Sequence, residues 1–165
     1  MSTIKTKPAE PGKQQLVITR IFDLPVNKVW KAWTEPESCK KWWGPKDFTS
    51  PYCTINLKVG GKYLSCMRSP DGTEFWSTGV YKEIIPHKKL VFSDSFSDEK
   101  GNIIPAADLN MPGDWPLELL VTVTLEETGE KTKMVLQHVG LPPESYDDCQ
   151  TGWQQSFDKL EENLK

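Results

Sequence analysis

His138 is the residue with the most chemistry to offer. An imidazole gives and takes protons near neutral pH. Alternation along 131–139 puts His138 with Met134 and Leu136 on one side of a strand, and Val135, Gln137 and Val139 on the other. A histidine aimed into an apolar interior can orient a ligand or serve as acid or base. The competing reading is a core histidine whose ring nitrogens are satisfied by neighbours. The other histidine, His87, sits in a Pro-His-Lys turn. Asp94 and Glu83 reach the interior only if their strands carry bulges. No G-x-S-x-G elbow and no H-E-x-x-H pair occurs, so no catalytic residue is assigned. Cys39, Cys53, Cys66 and Cys149 lie far apart in sequence, which argues against a zinc site and a redox motif. No metal ligand and no cofactor is therefore expected. Gly60-Gly61 and Gly79 lack the helix and the Lys-Ser/Thr of a phosphate loop and read as turn and bulge glycines.

The aromatic residues form a second candidate set. Trp42 and Trp43 end a short helix, Tyr63, Trp76 and Phe92 lie on strands, Trp115 is in a long loop, and Trp153 and Phe157 are on the last helix. With Met134, Leu136 and His138 as a facing wall, Trp43, Tyr63, Trp76, Phe92, Trp115, Trp153 and Phe157 could line a pocket for a flat or lipid-like molecule. The alternative for each is ordinary core packing.

These side chains are only as useful as the elements that hold them. Residues 14–22 read as a strand, with Leu16, Ile18, Arg20 and Phe22 on one side and Val17, Thr19 and Ile21 on the other, covered on both faces for part of its length. Pro25 opens a short amphipathic helix carrying Val26, Val29, Trp30 and Trp33, and a second short helix is expected over 38–42. The period then changes to two. Strands are predicted at 52–59, 62–68, 74–85, 89–96, 117–126 and 131–139, joined by short turns that demand antiparallel neighbours. The exception is 97–116, too long for a simple connection and rich in Ile103, Ile104, Leu109, Met111 and Trp115. It is expected to fold back over the open edge of the sheet as a lid. Finally Tyr146, Cys149, Trp153, Phe157, Leu160 and Leu164 make one apolar helical stripe, capped by Glu144 or Ser145, with Gly152 and Ser156 beside it for close approach. A helix with one apolar face and a sheet with one apolar face give a two-layer α+β domain over 14–165, after a mobile tail at 1–13.

Composition narrows the function classes. The 165 residues suffice for one well-buried core. The net charge of −3 is spread along the chain without a basic stripe, which argues against nucleic acid as a partner. Apolar runs fall well short of the ~20 residues that span a bilayer. The polar N-terminal segment has no apolar signal region, so a cytoplasmic protein with reduced thiols is expected.

Several local patterns occur in a familiar order: Arg20-Ile21-Phe22 before Pro25, Val29-Trp30-Lys31-Ala32-Trp33-Thr34, Trp42-Trp43-Gly44-Pro45, Gly60-Gly61, Gly79-Val80-Tyr81 with Ile84 and Pro86, and His138-Val139-Gly140-Leu141 followed by Gly152-Trp153. Over roughly residues 14–165 the chain resembles the homologues of the activator of the heat-shock-protein-90 ATPase, within the START-like, helix-grip superfamily. The resemblance implies a curved antiparallel sheet with two short helices after its first strand. It also implies a long C-terminal helix gripped across the concave face, enclosing an apolar cavity. The function it implies is binding of an apolar or amphipathic small molecule. One alternative is regulation of the chaperone, although in the eukaryotic co-chaperone an additional N-terminal domain makes the main contacts. Another is a cyclase, dehydratase or hydrolase of the same superfold.

Overall fold

The computed structural model describes residues 14–165, so the expected tail at 1–13 lies outside the described residues. Seven strands form a single antiparallel sheet in the order β1-β7-β6-β5-β4-β3-β2. They are β1 (Gln14–Phe22), β2 (Thr49–Ile55), β3 (Lys62–Arg68), β4 (Glu74–Ile85), β5 (Lys89–Ser97), β6 (Leu119–Thr128) and β7 (Lys131–Leu141). Consecutive strands from β2 to β7 are neighbours, whereas β1 and β2 stand at opposite edges. The chain between those two must cross the whole concave face, and it does so as α1 (Val26–Thr34) and α2 (Pro36–Cys39). That crossing carries Trp30, Trp33 and Trp42 into the interior. The last helix, α3 (Tyr146–Asn163), packs on β1 beside them.

The alternation in the strands decides what is buried. Leu16, Ile18 and Phe22 of β1, Leu119, Val121, Val123 and Leu125 of β6, and Met134, Leu136 and His138 of β7 all face the core. The outer face of β1 is not covered: Val17 is 47% exposed and Ile21 59%. Among the described residues, β1 is an edge strand with α3 packed on its inner side.

Boundaries moved where proline and turn chemistry outweighed periodicity. α2 starts at Pro36 rather than at residue 38, because a first-turn residue has no use for an N–H. The helix ends at Cys39 instead of continuing to Trp42. On edge strand β2, pairing with β3 begins at Thr49 and slips before Tyr52, which accommodates Pro51. That strand stops at Ile55, where Asn56 and Lys58 turn the chain. Leu117 lies outside β6 and is exposed. At α3 neither candidate cap bonds the first turn; a 3-10 turn at Pro143–Ser145 leads in, and Asp147 and Asp148 complement the helix dipole.

The 97–116 segment does not cover an edge. It joins two central strands, β5 and β6, extends β5 through a bridge from Ser97 to Ile103, and forms a 3-10 turn at Ala106–Leu109. Trp115 then meets Phe96 edge-on at 5.2 Å, and its Nε1 donates to Pro112 O. Gly113 lies so near Pro142 that a Cβ on it would fall 2.8 Å away. The segment closes the end of the fold where α3 begins.

Candidate functional site

Trp33 of α1 is the hub of the interior. Its ring lies 4.8 Å from Trp42, 6.3 Å from Trp43, 6.2 Å from Phe92, 5.9 Å from Trp153 and 6.3 Å from Phe157. Beside it, between α2 and strands β2 to β5, is a cavity of about 20 Å³ lined by Trp33, Cys39, Trp43, Cys53, Ile55, Tyr63, Ser65, Tyr81 and Phe92. That volume takes one water-sized molecule. The wide apolar cavity implied by the resemblance is instead filled by indole and phenyl rings. A hollow of about 380 Å³ at Arg20, Asp158, Glu161, Glu162 and Lys165 is an open, charged surface depression.

Local sequence builds this chamber. Tyr63 pairs with Gly79 across β3 and β4, and a Cβ at Gly79 would sit 2.6 Å from the Tyr63 ring and 1.8 Å from Ser93 O. Only glycine lets the ring lie against the sheet there. Opposite, Ser93 Oγ accepts the Val80 N–H at 2.9 Å, and the β4–β5 register shifts between Tyr81 and Glu83. The roof is tied down by α3. Lys159 Nζ donates to Pro45 O (3.1 Å) and Phe48 O (3.0 Å), and Asn163 Nδ2 donates to Lys41 O (2.7 Å).

A polar chain runs along the chamber's inner side. Trp153 Nε1 donates to His138 Nδ1 at 3.1 Å. Indole can only donate, so Nδ1 carries no proton and the ring's proton is on Nε2. His138 Nε2 lies 3.3 Å from Asp94 Oδ2, yet the N–H has no aligned acceptor. Tyr63 Oη donates to Asp94 Oδ1 at 3.1 Å. Burial, reinforced by the Asp94 charge, pushes the Tyr63 phenol well above its ordinary range. Trp33 Nε1 is a second buried donor without a partner. Nearby Cys149 is a poor nucleophile, because burial and then the Asp94 charge push its thiol up to about 11.

The predicted residues are thus distributed rather than assembled. Trp43, Tyr63 and Phe92 line the cavity. His138 and Trp153 belong to the polar chain, while Met134, Leu136 and Phe157 are fully buried packing residues. Trp115 sits at the far end on Phe96. Trp76 is a correction: odd spacing from Gly79 turns it to the opposite face, where it meets Tyr52 at 5.4 Å. Sequence reasoning missed Trp33, Tyr81, Cys39, Cys53, Ile55 and Ser65 as a lining. It left Asp94 open, and two-residue spacing from buried Phe92 was the signal that places it inward.

Among the described residues no helix is long and apolar enough to cross a membrane. No curated protein matches the chain. Solved structures do. A protein from Arthrobacter aurescens is 26% identical with a TM-score of 0.74, covering 89% of this chain and 83% of its own. A protein from Nitrosomonas europaea is 25% identical with a TM-score of 0.72, covering 90% and 92%. The AHSA1 protein from Silicibacter pomeroyi, 20% identical with a TM-score of 0.71 over 91% and 96%, shares the fold. The family model described as "Activator of Hsp90 ATPase homolog 1-like protein" matches residues 23–165, and the chain belongs to that family.

Proposed function

We propose that this protein is a cytoplasmic binding module for a small apolar or amphipathic molecule. The ligand is taken up between the β2–β5 end of the sheet and the helices above it. One observation carries the reading: two N–H donors, Trp33 Nε1 and His138 Nε2, are buried without aligned acceptors beside an otherwise aromatic chamber. Each such group costs about 1–3 kcal/mol, and natural cores rarely leave them. A ligand acceptor offsets that cost, and Tyr63 and Asp94 extend the polar anchor. Drug-sized sites run to roughly 300 Å³ or more, so entry requires a wall to move. Trp43 and Trp153, half-buried and edge-to-face at 5.7 Å, are the rings suited to that.

The test is a screen of small apolar and amphipathic compounds read on the indole N–H signals. A binder shifts Trp33 and Trp153 and leaves Trp76 and Trp115 in place. Should no compound move the first pair in protein shown to be folded, the reading is abandoned. The family description also supports a second role, action on an Hsp90-type chaperone. A pull-down with an ATPase assay measures it, and no binding with no rate change removes it.

A further inference from the structure

Two groups in the chamber wall have no part in ligand anchoring. Cys39 ends α2 and Cys53 lies in the middle of β2; both are free, both are buried, and both line the same cavity of about 20 Å³. Both belong to the wall of that one small cavity, so the two thiols are neighbours across it. Far apart in the chain, they are brought together because α2 packs on β2. We propose that Cys39 and Cys53 form a redox-active dithiol that a hydroperoxide converts to a disulfide, locking the α2 wall of the chamber.

The two thiols are unequal. The neighbouring Cys39 thiol holds Cys53 below the ordinary thiol range; Lys40 assists, while burial and Glu37 oppose. The Cys53 thiol, with burial, pushes Cys39 up. Cys53 is therefore the attacking sulfur and Cys39 the resolving one. The Cys53 thiolate attacks a hydroperoxide oxygen: an S–O bond forms, the O–O bond breaks, and the leaving oxygen departs with a proton as water or alcohol. Cys53 is oxidised to the sulfenic acid as the peroxide is reduced. Cys39 sulfur then attacks Cys53 sulfur; the S–S bond forms, the S–O bond breaks, and hydroxide leaves with the Cys39 proton as water.

Access comes from local opening. β2 is an edge strand with a slipped register, and α2 is a single turn, the kind of elements that open most cheaply. The cross-link also reaches the pocket rim, because the Trp42 and Trp43 N–H groups bond Cys39 O at 3.2 and 3.1 Å. The dithiol stands whether or not the chamber takes a ligand.

The experiment treats the full chain with hydrogen peroxide, alkylates the remaining thiols after unfolding, and maps them by mass spectrometry. Cys39 and Cys53 are expected to lose alkylation together and appear as one cross-linked peptide pair that dithiothreitol releases, with Cys66 and Cys149 still alkylated. Preferential oxidation of half-buried Cys149, or Cys53 driven to sulfinic acid while Cys39 stays alkylated, would overturn the proposal. In Cys39→Ser, Cys53 should stop at the sulfenic acid and take up dimedone. Absence of that adduct refutes the assignment of Cys53 as the attacking thiol.

Discussion

The two ends of the concave face are built from different materials. Over β1, β7 and β6 the interior is largely aliphatic and closed: Leu16, Val121, Met134, Leu136 and Leu160 are each fully buried, with the rings of Phe22 and Phe157 packed among them. Over β2 to β5 it is aromatic, sulfur-bearing and hydroxylated, with Tyr63, Tyr81, Ser65, Cys39 and Cys53 around a cavity, register shifts in β2 and β4, and the Trp33 Nε1 donor buried without a partner. The first end repays burial with dispersion and hydrophobic transfer at every contact. The second gives up part of that return for polar groups held in an apolar setting, a pattern expected of sites rather than of scaffolds.

The largest effect is expected from removing packing where α3 meets the closed end. Phe157→Ala deletes a ring that touches Phe22, Trp33, Trp42 and Trp153. A loss of about 3–5 kcal/mol in urea unfolding is expected. A loss below about 1 kcal/mol would mean that end is not the scaffold.

A smaller effect is expected at the open end. Tyr63→Phe removes one hydrogen bond to Asp94 and costs about 1 kcal/mol at neutral pH. The pH dependence is more telling. Because the fold raises the Tyr63 phenol above its ordinary 10.0, the folded state holds its proton where the unfolded chain has lost it. Its contribution is complete below pH 10 and declines as pH rises through the folded value. Tyr63→Phe should flatten that alkaline decline; an unchanged slope removes Tyr63 from the account.

The least effect belongs to neither end. Ile21→Thr, on the exposed outer face of β1, should stay within about 0.5 kcal/mol of the parent. A larger loss would show that this face has a partner.

Legibility followed the range of the interactions. The limits of β3 and β4, the inward set of β6 and β7, and the stripe of α3 could be read because alternation and helical spacing are local properties. The site was less legible. Met134, Leu136 and Phe157 answer to the same apolar pattern whether they pack or line a pocket, so type and spacing alone cannot separate the roles. Trp76 misled because an aromatic on a strand says nothing about which face is concave until Gly79 and Tyr63 settle the parity. Asp94 shares its side of β5 with Phe92, and only knowing that Phe92 is buried turns that spacing into a direction.

What this sequence determined by itself is the sequence of elements and the antiparallel pairing of consecutive strands from β2 to β7, since these follow from periodicity, proline and turn residues acting over a few positions. Tertiary structure alone decided that the crossing helices would fill the grip with tryptophans, that Trp153, His138, Asp94 and Tyr63 would form one polar chain, and that Cys39 and Cys53 would line one cavity. Those meetings join residues from separate strands of the sheet and from helices laid across it. No local rule encodes such distances; they are set when the chain between β1 and β2 crosses the concave face and α3 closes over it.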